Sequence, residues 1–306
     1  MSNPTILQHF RSFCYQNGAT NIEQAIEYFA VFGGMGWRVD FSKPLEELIA
    51  EKILKNYRYI HGDITKITKS NDIHHRVLSA LATGDRREHS AFKKAKITKE
   101  EGENSVDYLI DENILTEEKS IEKPLDNPEQ VSLKLKFNQP FMRFWFATVS
   151  PFYKGIKDGD FNETKKYWQD IKSEFTNYIY QQLFMEFFKN SYNEANEDKI
   201  IKIGSYWDTN TNIDLLAKTR AGKFIAGAYK FSKNKANKSE LTKLKEKCET
   251  AQLDIQGYII YSKNKFSTEL KKEKGNNLLL FSTKSLNALL IDLNENDMLV
   301  NTNKKY

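Results

Sequence analysis

Cysteine and histidine are scarce in this sequence. Among its 306 residues the two cysteines, Cys14 and Cys248, lie far apart and show no C-x-x-C spacing. This pair is too small for a disulfide framework or a cysteine-rich zinc site, so we expect two reduced, inert thiols. Two of the five histidines, His74 and His75, are adjacent. Neighbours on a helix point in different directions, which disfavours a shared metal ion.

Long apolar runs are also missing. The most apolar stretches, such as 141–152 and 258–261, are far shorter than the roughly 20 residues that span a bilayer. The N-terminus has no basic segment followed by an apolar one, so no secretory signal is visible. These absences predict a protein that contacts no membrane and is located in the cytoplasm.

A phosphate loop is absent as well. The glycines of Gly33-Gly34-Met35-Gly36 do not follow a clear strand and lack the G-x-x-x-x-G-K-[ST] order. We interpret them as a turn, and no ATPase domain is predicted.

The composition predicts a folded protein with more than one core. Hydrophobic residues make up 40% of the chain, and charged residues of both signs make up 28%. Single cores stop growing near roughly 250–300 residues, so two or three modest cores are expected. The net charge of +5 is compatible with a polyanionic partner.

The first half of the chain has helical periodicity. In residues 1–69, Asn21 is placed to cap a helix that starts at Ile22, and Pro44 stands in the first turn of another. We expect these residues to form a helical extension.

Residues 70–137 show the order of a winged helix, three short helices and two strands. The predicted helices are about Ile73–Ala82, Glu88–Ala95 and Lys99–Glu112. Thr98 is the expected N-cap of the third helix. A strand begins near Leu115, and alternation from Val131 to Phe137 indicates a second, half-buried strand. The polar residues 117–129 between them are expected to form a long wing tip.

The second half changes to an α/β pattern. Residues 138–190 are predicted to form a helical connector and a leading helix, residues 191–293 an α/β domain, and residues 294–306 a flexible tail. The strand candidates are 200–203, 213–217, 224–231, 257–261 and 278–281, with one helix at about 239–252. Strand–strand–strand–helix–strand order is typical of α/β proteins. The predicted fold class is therefore mixed α/β (α+β), with a helical N-terminal region.

The segment 204–231 carries residues that fit metal-dependent nuclease chemistry. Asp214 and Lys230 lie on two successive predicted strands, whereas Trp207 is expected in the core and Asp208 at a turn. In such a nuclease, carboxylates hold Mg²⁺, which activates a water molecule, and the lysine positions that water or stabilises developing charge. In such a nuclease the second strand supplies an acidic residue, any residue and then lysine, and alternation places the acid and the lysine on one face.

These motifs resemble those of a known family. The chain contains Tyr206-Trp207-Asp208, Asn212-Ile213-Asp214-Leu215-Leu216-Ala217, Gly227-Ala228-Tyr229-Lys230-Phe231 and Pro140-Phe141-Met142-Arg143-Phe144-Trp145-Phe146. Over roughly residues 70–290 it resembles the domain of unknown function 234 family, a PD-(D/E)XK nuclease-like domain found at the C-terminus of DEXX-box-type ATPases. The resemblance implies a restriction-endonuclease-like α/β core at 191–293, here without the ATPase domain.

The central acidic residue of the family motif is missing. Its place is taken by Ala228, which leaves Asp214 as a weak candidate metal ligand beside Lys230. Glu240 on the following helix is a candidate for a relocated acid, as are Glu174 and Glu186 on the leading helix. No cofactor is expected unless the nuclease site is active, in which case it would be Mg²⁺.

Basic residues indicate a surface for the phosphate backbone of DNA. Residues 218–247 contain ten basic and two acidic residues, a local charge of +8. Such a patch is the electrostatic footprint of nucleic-acid binding, although a solvated helix face gives the same pattern. The candidate DNA-binding residues are Arg86, Arg87, Lys93, Lys94, Lys99 and Lys134 in the winged helix, and Lys233, Lys235, Lys238 and Lys245 after it.

Three functions remain open from the sequence. The first is a DNA-associated protein with an inactive nuclease-like domain, which binds DNA without sequence preference. The second is an active Mg²⁺-dependent nuclease with a relocated acidic ligand. The third is a protein-interaction adaptor that works with a protein partner such as a separate ATPase.

Overall fold

The computed structural model describes residues 4–275 and 277–299. They form two compact units. Unit 1 contains the described residues of 1–118, 132–179 and 292–306, and unit 2 contains those of 119–131 and 180–291. A helical N-terminal region and a five-stranded sheet together make the chain mixed α/β, which confirms the predicted fold class.

Unit 1 is built mainly from short helices. They are α1 (Ile6–Asn17), α2 (Ile22–Phe32), α3 (Leu45–Leu48), α4 (Tyr57–Ile67), α5 (Asp72–Ala82), α6 (Glu88–Ala95), α7 (Lys99–Asp111), α8 (Pro140–Phe144) and α9 (Tyr153–Lys157). Two predicted caps are confirmed. The side chain of Asn21 accepts from Gln24 N, and Thr98 forms a reciprocal capping box with Glu101. Ile49–Leu54 and Trp145–Val149 are π-helical.

A two-stranded antiparallel sheet accompanies α5, α6 and α7. It consists of β1 (Leu115–Glu118) and β2 (Lys134–Phe137), with Leu115 opposite Phe137. The second strand starts at Lys134, three residues later than the alternation from Val131 predicts. Buried Leu115, Leu135 and Phe137 keep the alternating pattern where the two strands pair.

Unit 2 contains one five-stranded mixed sheet. Its strands are β3 (Ile200–Trp207), β4 (Asn212–Thr219), β5 (Phe224–Lys230), β6 (Ile255–Ser262) and β7 (Leu278–Ser282), in that spatial order. The first three pair antiparallel, and β5–β6 and β6–β7 pair parallel. Parallel neighbours need a crossover. Helix α11 (Lys238–Thr250) connects β5 to β6, and α12 (Thr268–Lys272) precedes β7. All five strands predicted from the sequence lie in this one sheet.

Each face of this sheet is covered by a helix. On one face, Leu241, Leu244 and Cys248 of α11 pack with Leu216 and Ala226 in one apolar core. On the other lies the C-terminal part, residues 180–195, of the long helix α10 (Asn162–Ala195). Its buried Phe184 contacts three aromatic rings of the sheet, those of Tyr229, Tyr261 and Phe281, at centroid distances of 5.8, 4.9 and 5.3 Å.

Two peripheral segments differ from their predicted roles. The expected wing tip lies against the edge strand β3, where Ile121 N donates to Ser205 O at 3.0 Å and Trp207 N donates to Ser120 Oγ at 3.0 Å. In the predicted flexible tail, Asp297 accepts from Arg11 at 2.6 Å. The part of that tail at 300–306 lies outside the described residues.

We predict that Phe184→Ala will lower the free energy of unfolding by about 3–5 kcal/mol, because it leaves a cavity where the ring joins α10 to the sheet. Phe187→Ala is the matched control, since Phe187 lies on the same helix but is only half-buried. Urea unfolding of both variants measures the difference. Equal losses in the two variants would contradict this packing.

Candidate functional site

The residues at the end of β3 have a structural role. Trp207 is fully buried, as predicted. The carboxylate of Asp208 caps the following turn, since one oxygen accepts from Asn210 N at 2.7 Å and Thr211 N at 2.6 Å. The other accepts from Tyr206 Oη at 2.8 Å. Both oxygens of Asp208 are thus used within the fold.

Asp214 is half-buried on β4. Its backbone oxygen accepts from Ser205 Oγ at 3.1 Å, and the next residue, Leu215, lies opposite Gly227 of β5. Burial raises the pKa of Tyr229, and the charge of Asp214 raises it further. The Tyr229 hydroxyl donates to Gln181 O on α10 at 3.4 Å. The structure thus brings Asp214 within electrostatic reach of Tyr229.

The segment Ala228–Lys230 ends β5 on the side of α11. Ala228 packs against the apolar core beneath that helix. Lys230, two residues further and on the same face, contacts Glu240 in the first turn of α11, with 2.6 Å between Nζ and Oε1. Both side chains are largely covered, with exposures of 27% and 18%. The structure therefore brings Lys230 together with Glu240, the candidate relocated acid.

These residues do not fit the Mg²⁺ site that the family resemblance implies. Mg²⁺ takes an octahedral set of hard oxygen ligands, with carboxylates supplying the charge. Ala228 offers a methyl group, and Glu240, the acid in contact with Lys230, has an oxygen bound to the lysine ammonium. In residues 4–275 and 277–299 no three His, Cys, Asp or Glu side chains are grouped so that they could hold a metal ion.

The basic strip of residues 218–247 divides into bound and exposed members. Three half-buried lysines are bound to acceptors within unit 2: Lys218 to Glu122, Lys230 to Glu240 and Lys247 to Asn212. Lys238 is exposed but forms an ion pair with Glu273 at 2.8 Å. The other exposed members are Arg220, Lys223, Lys233, Lys235, Lys243 and Lys245.

Two adjoining loops gather part of this charge at the carboxyl ends of β5 and β6. Ala236 pairs with Phe266 as an isolated parallel bridge, and Ala236 N donates to Lys265 O at 2.9 Å. The first loop carries exposed Lys233 and Lys235, and the second carries exposed Lys265. Ligands of open α/β sheets bind in the crevice outside the carboxyl ends of the strands.

Sequence reasoning missed the contribution of Lys265. The basic run in the sequence ends at residue 247, before β6. The signal was available, because two parallel strands end at the same edge of a sheet, so the loop after β6 had to lie beside the loop after β5.

Only half of the six basic residues expected to bind DNA in the winged helix are exposed. Arg86 is bound within unit 1, where its Nη1 donates to Glu118 at 2.6 Å and to Tyr178 Oη at 2.7 Å. Arg87 and Lys134 are half-buried and pair as an isolated bridge. The exposed candidates are Lys93, Lys94 and Lys99.

The exposed face of α7 is acidic. It presents Glu100, Glu101, Glu103 and Asp107. Lys99 is paired with Glu103 at 3.4 Å, which reduces the charge that it offers to a ligand.

Comparison with known proteins finds that part of the chain is similar to one family. Residues 145–243 match the model of the domain of unknown function 234 family, described as archaeal and bacterial proteins of unknown function. The match includes Asp214, Ala228, Lys230 and Glu240, and it confirms the resemblance predicted from the motifs. No curated protein and no solved structure matches the chain. No helix among residues 4–275 and 277–299 is both long and apolar enough to cross a membrane.

We predict that Asp208→Asn will destabilise the protein by about 2 kcal/mol at pH 7, because buried hydrogen bonds to a charged acceptor are lost. Burial raises the pKa of Asp208, but hydrogen bonds from Thr211, Tyr206 and Asn210 outweigh it and hold the pKa below its ordinary value of 3.8. This stabilisation is therefore fully present above that value and is lost as the pH falls through the lowered pKa of the folded state.

Urea unfolding at several pH values measures this effect. The gap between Asp208→Asn and wild type should shrink on acidification. The exposed Asp126, whose carboxylate accepts from Asn210 Nδ2 at 2.9 Å, is the control, and Asp126→Asn should change stability by less than about 0.5 kcal/mol. A gap independent of pH would contradict the role assigned to the carboxylate.

Proposed function

We propose that this protein binds duplex DNA without sequence preference and that its nuclease-like domain does not cleave it. The observation that carries the proposal is the group of three exposed lysines on two adjoining loops at the carboxyl ends of β5 and β6: Lys233, Lys235 and Lys265. We name this group the loop lysines. They stand beside the N-terminal end of α11, whose dipole adds partial positive charge.

The chemistry of this surface favours phosphate contacts over base readout. Lysine is a mobile point charge that binds phosphates, whereas sequence is read mainly by side chains with paired donors and acceptors in a groove. Contacts of this kind release counterions and give affinity that falls steeply with salt. The loop lysines therefore support binding to any duplex.

Part of unit 1 supports the proposal of a winged helix at residues 70–137. Its elements are the three helices α5, α6 and α7 and the two strands β1 and β2. Its third helix, α7, is a poor reader of the major groove, because its exposed carboxylates repel phosphates. Arg86 is left out of the proposed DNA surface, because its guanidinium is bound to Glu118 and Tyr178. The exposed Lys93 and Lys94 on α6 remain candidates for contact with the backbone.

The proposal that the nuclease-like domain does not cleave DNA depends on the missing carboxylate. Ala228 supplies no oxygen where the family motif has its acid, and the ammonium of Lys230 is bound by Glu240. A lysine held in an ion pair is less able to orient a water molecule or stabilise developing charge.

We predict that replacing the three loop lysines with alanine will weaken duplex binding equally for unrelated sequences. Each lost phosphate contact flattens the slope of log affinity against log salt by about 0.9, so the triple variant should lose about 2.7. Fluorescence anisotropy with two unrelated duplexes over a range of salt concentrations measures both quantities.

The control carries the same change in charge elsewhere. Lys165, Lys166 and Lys202 are exposed and lie outside the two loops, and their triple alanine variant should keep the wild-type slope. Equal effects of the two triple variants would show attraction by net charge alone. Full retention of affinity in the loop variant would reject this DNA surface and favour the adaptor function.

A second candidate function is an active nuclease that uses Glu240 as its relocated acid. The contact of 2.6 Å between Lys230 Nζ and Glu240 Oε1 identifies Glu240 as the acid that such a nuclease would use, because it reaches the lysine from outside the motif. The first candidate function predicts no cleavage of DNA, and the second predicts metal-dependent cleavage.

We predict little or no nicking of supercoiled plasmid by purified wild type in the presence of Mg²⁺ or Mn²⁺, because the residues around Lys230 lack a set of carboxylates for the metal. Glu240→Gln and Asp214→Ala, prepared in the same way, show whether any cleavage belongs to this protein. Metal-dependent nicking by wild type that disappears in both variants would establish the second candidate.

A further inference from the structure

Unit 1 contains an open cavity of about 700 Å³. It lies between α4 and the 145–153 segment on one side and α5 with the end of α6 on the other. Its volume is within the range of small-molecule sites in proteins, roughly 300–1,000 Å³. None of the candidate site residues on β4, β5 and α11 lines it, and of the candidate DNA-binding residues only Lys94 does.

One side of the cavity is aromatic. The rings of Tyr57 and Trp145 stack, with 5.5 Å between centroids and 9° between planes, and both side chains are buried. Tyr153 extends this side towards the solvent and is 43% exposed, which is unusual for an aromatic side chain. Tyr153 thus offers a ring face on which a flat ligand can stack.

The opposite side is basic. It includes Arg76 on α5, Lys94 on α6 and Lys96 just after it, against a single acid, Asp72. Arg76 is fixed by Asp72 at 2.8 Å and by Ala95 O at 3.0 Å. Lys94 donates to Thr83 Oγ1 at 2.6 Å, and both lysines remain exposed. The formal charge of this side is +2, which fits an anion.

Two histidines, His61 and His75, also line the cavity. Burial lowers the pKa of both below the ordinary value of 6.5, and neighbouring charge lowers it further, Lys157 for His61 and His61 for His75. They are therefore mostly neutral at pH 7. His75 Nε2 lies 2.6 Å from Thr68 Oγ1 and His61 Nδ1 lies 3.4 Å from Thr65 Oγ1, so each ring can offer its other nitrogen to a ligand. Such groups suit the polar edge of an uncharged ring system.

We propose that this cavity binds a nucleotide unit, with its base stacked on Tyr153 and its phosphate held by Lys94 and Lys96. The ligand needs a flat ring, hydrogen-bonding edges and a negative charge, and a nucleotide combines all three. Both a free nucleotide and an unpaired residue of a single DNA strand have this chemistry. The proposal is independent of duplex binding by the loop lysines.

The test measures binding of fluorescein-labelled oligothymidylate and, by calorimetry, of free dTMP and AMP. All variants are made in the full chain that also carries alanine at the three loop lysines, so that the loop lysines do not contribute. Tyr153→Ala should weaken binding about ten-fold, since base–aromatic stacking is worth about 1–3 kcal/mol. Lys94→Ala with Lys96→Ala should weaken it and flatten its salt dependence.

Matched controls separate the cavity from general surface effects. Tyr59 lies on α4, is 79% exposed and does not line the cavity, so Tyr59→Ala should bind as the parent does. Lys66→Ala, on the same helix and also outside the lining, is the charge control. Thermal unfolding confirms that each variant is folded.

The outcomes decide the proposal. Binding of the oligonucleotide alone identifies a single strand as the ligand, and binding of dTMP or AMP identifies a free nucleotide. Absence of binding to all three probes overturns the proposal, and so does binding that Tyr153→Ala and the lysine variants leave at the level of their controls.

Discussion

The parallel pairing of β5 with β6 is the constraint on which unit 2 depends. Parallel neighbours cannot be joined by a hairpin, so the chain must cross over the sheet, and α11 is that crossover. The crossover buries the face of β5 that carries Ala226 and Ala228. It also places the start of α11 at the carboxyl end of β5. The contact of Lys230 with Glu240 and the adjoining lysine loops both follow from this one connection.

Alanine at position 228 is consistent with this burial. A carboxylate there would be partly removed from water, and an ionised group in such a place needs a metal ion or a cationic partner. The neighbouring cation, Lys230, is bound by Glu240, which comes from α11 rather than from the strand. In the ion pair of Lys230 and Glu240, each side chain compensates the charge of the other.

Much of this architecture could be predicted from local patterns, because caps and alternation act over a few residues. Asn21, Thr98 and the strands of the common sheet are examples. Contacts between distant segments could not be predicted in this way. The mostly polar sequence of 117–129 does not indicate that Ile121 packs against Gly204 of β3. The sequence around Asp297 likewise does not indicate that Asp297 binds Arg11. The cavity of unit 1 was missed for the same reason, since four separate segments supply its lining.

The two proposed binding surfaces recognise different features of a nucleic acid. The loop lysines offer charge without an exposed ring, so they respond to the density of phosphates, which is highest in a duplex. The cavity has a smaller positive charge than the three loop lysines, but it also has the exposed ring of Tyr153. A ring face can stack only on a base that has left its neighbours, because paired bases in a duplex are covered on both sides. Charge and stacking therefore select different states of the same polymer. The loop lysines are proposed to hold a duplex, and Tyr153 with its neighbouring lysines is proposed to recognise an unpaired nucleotide.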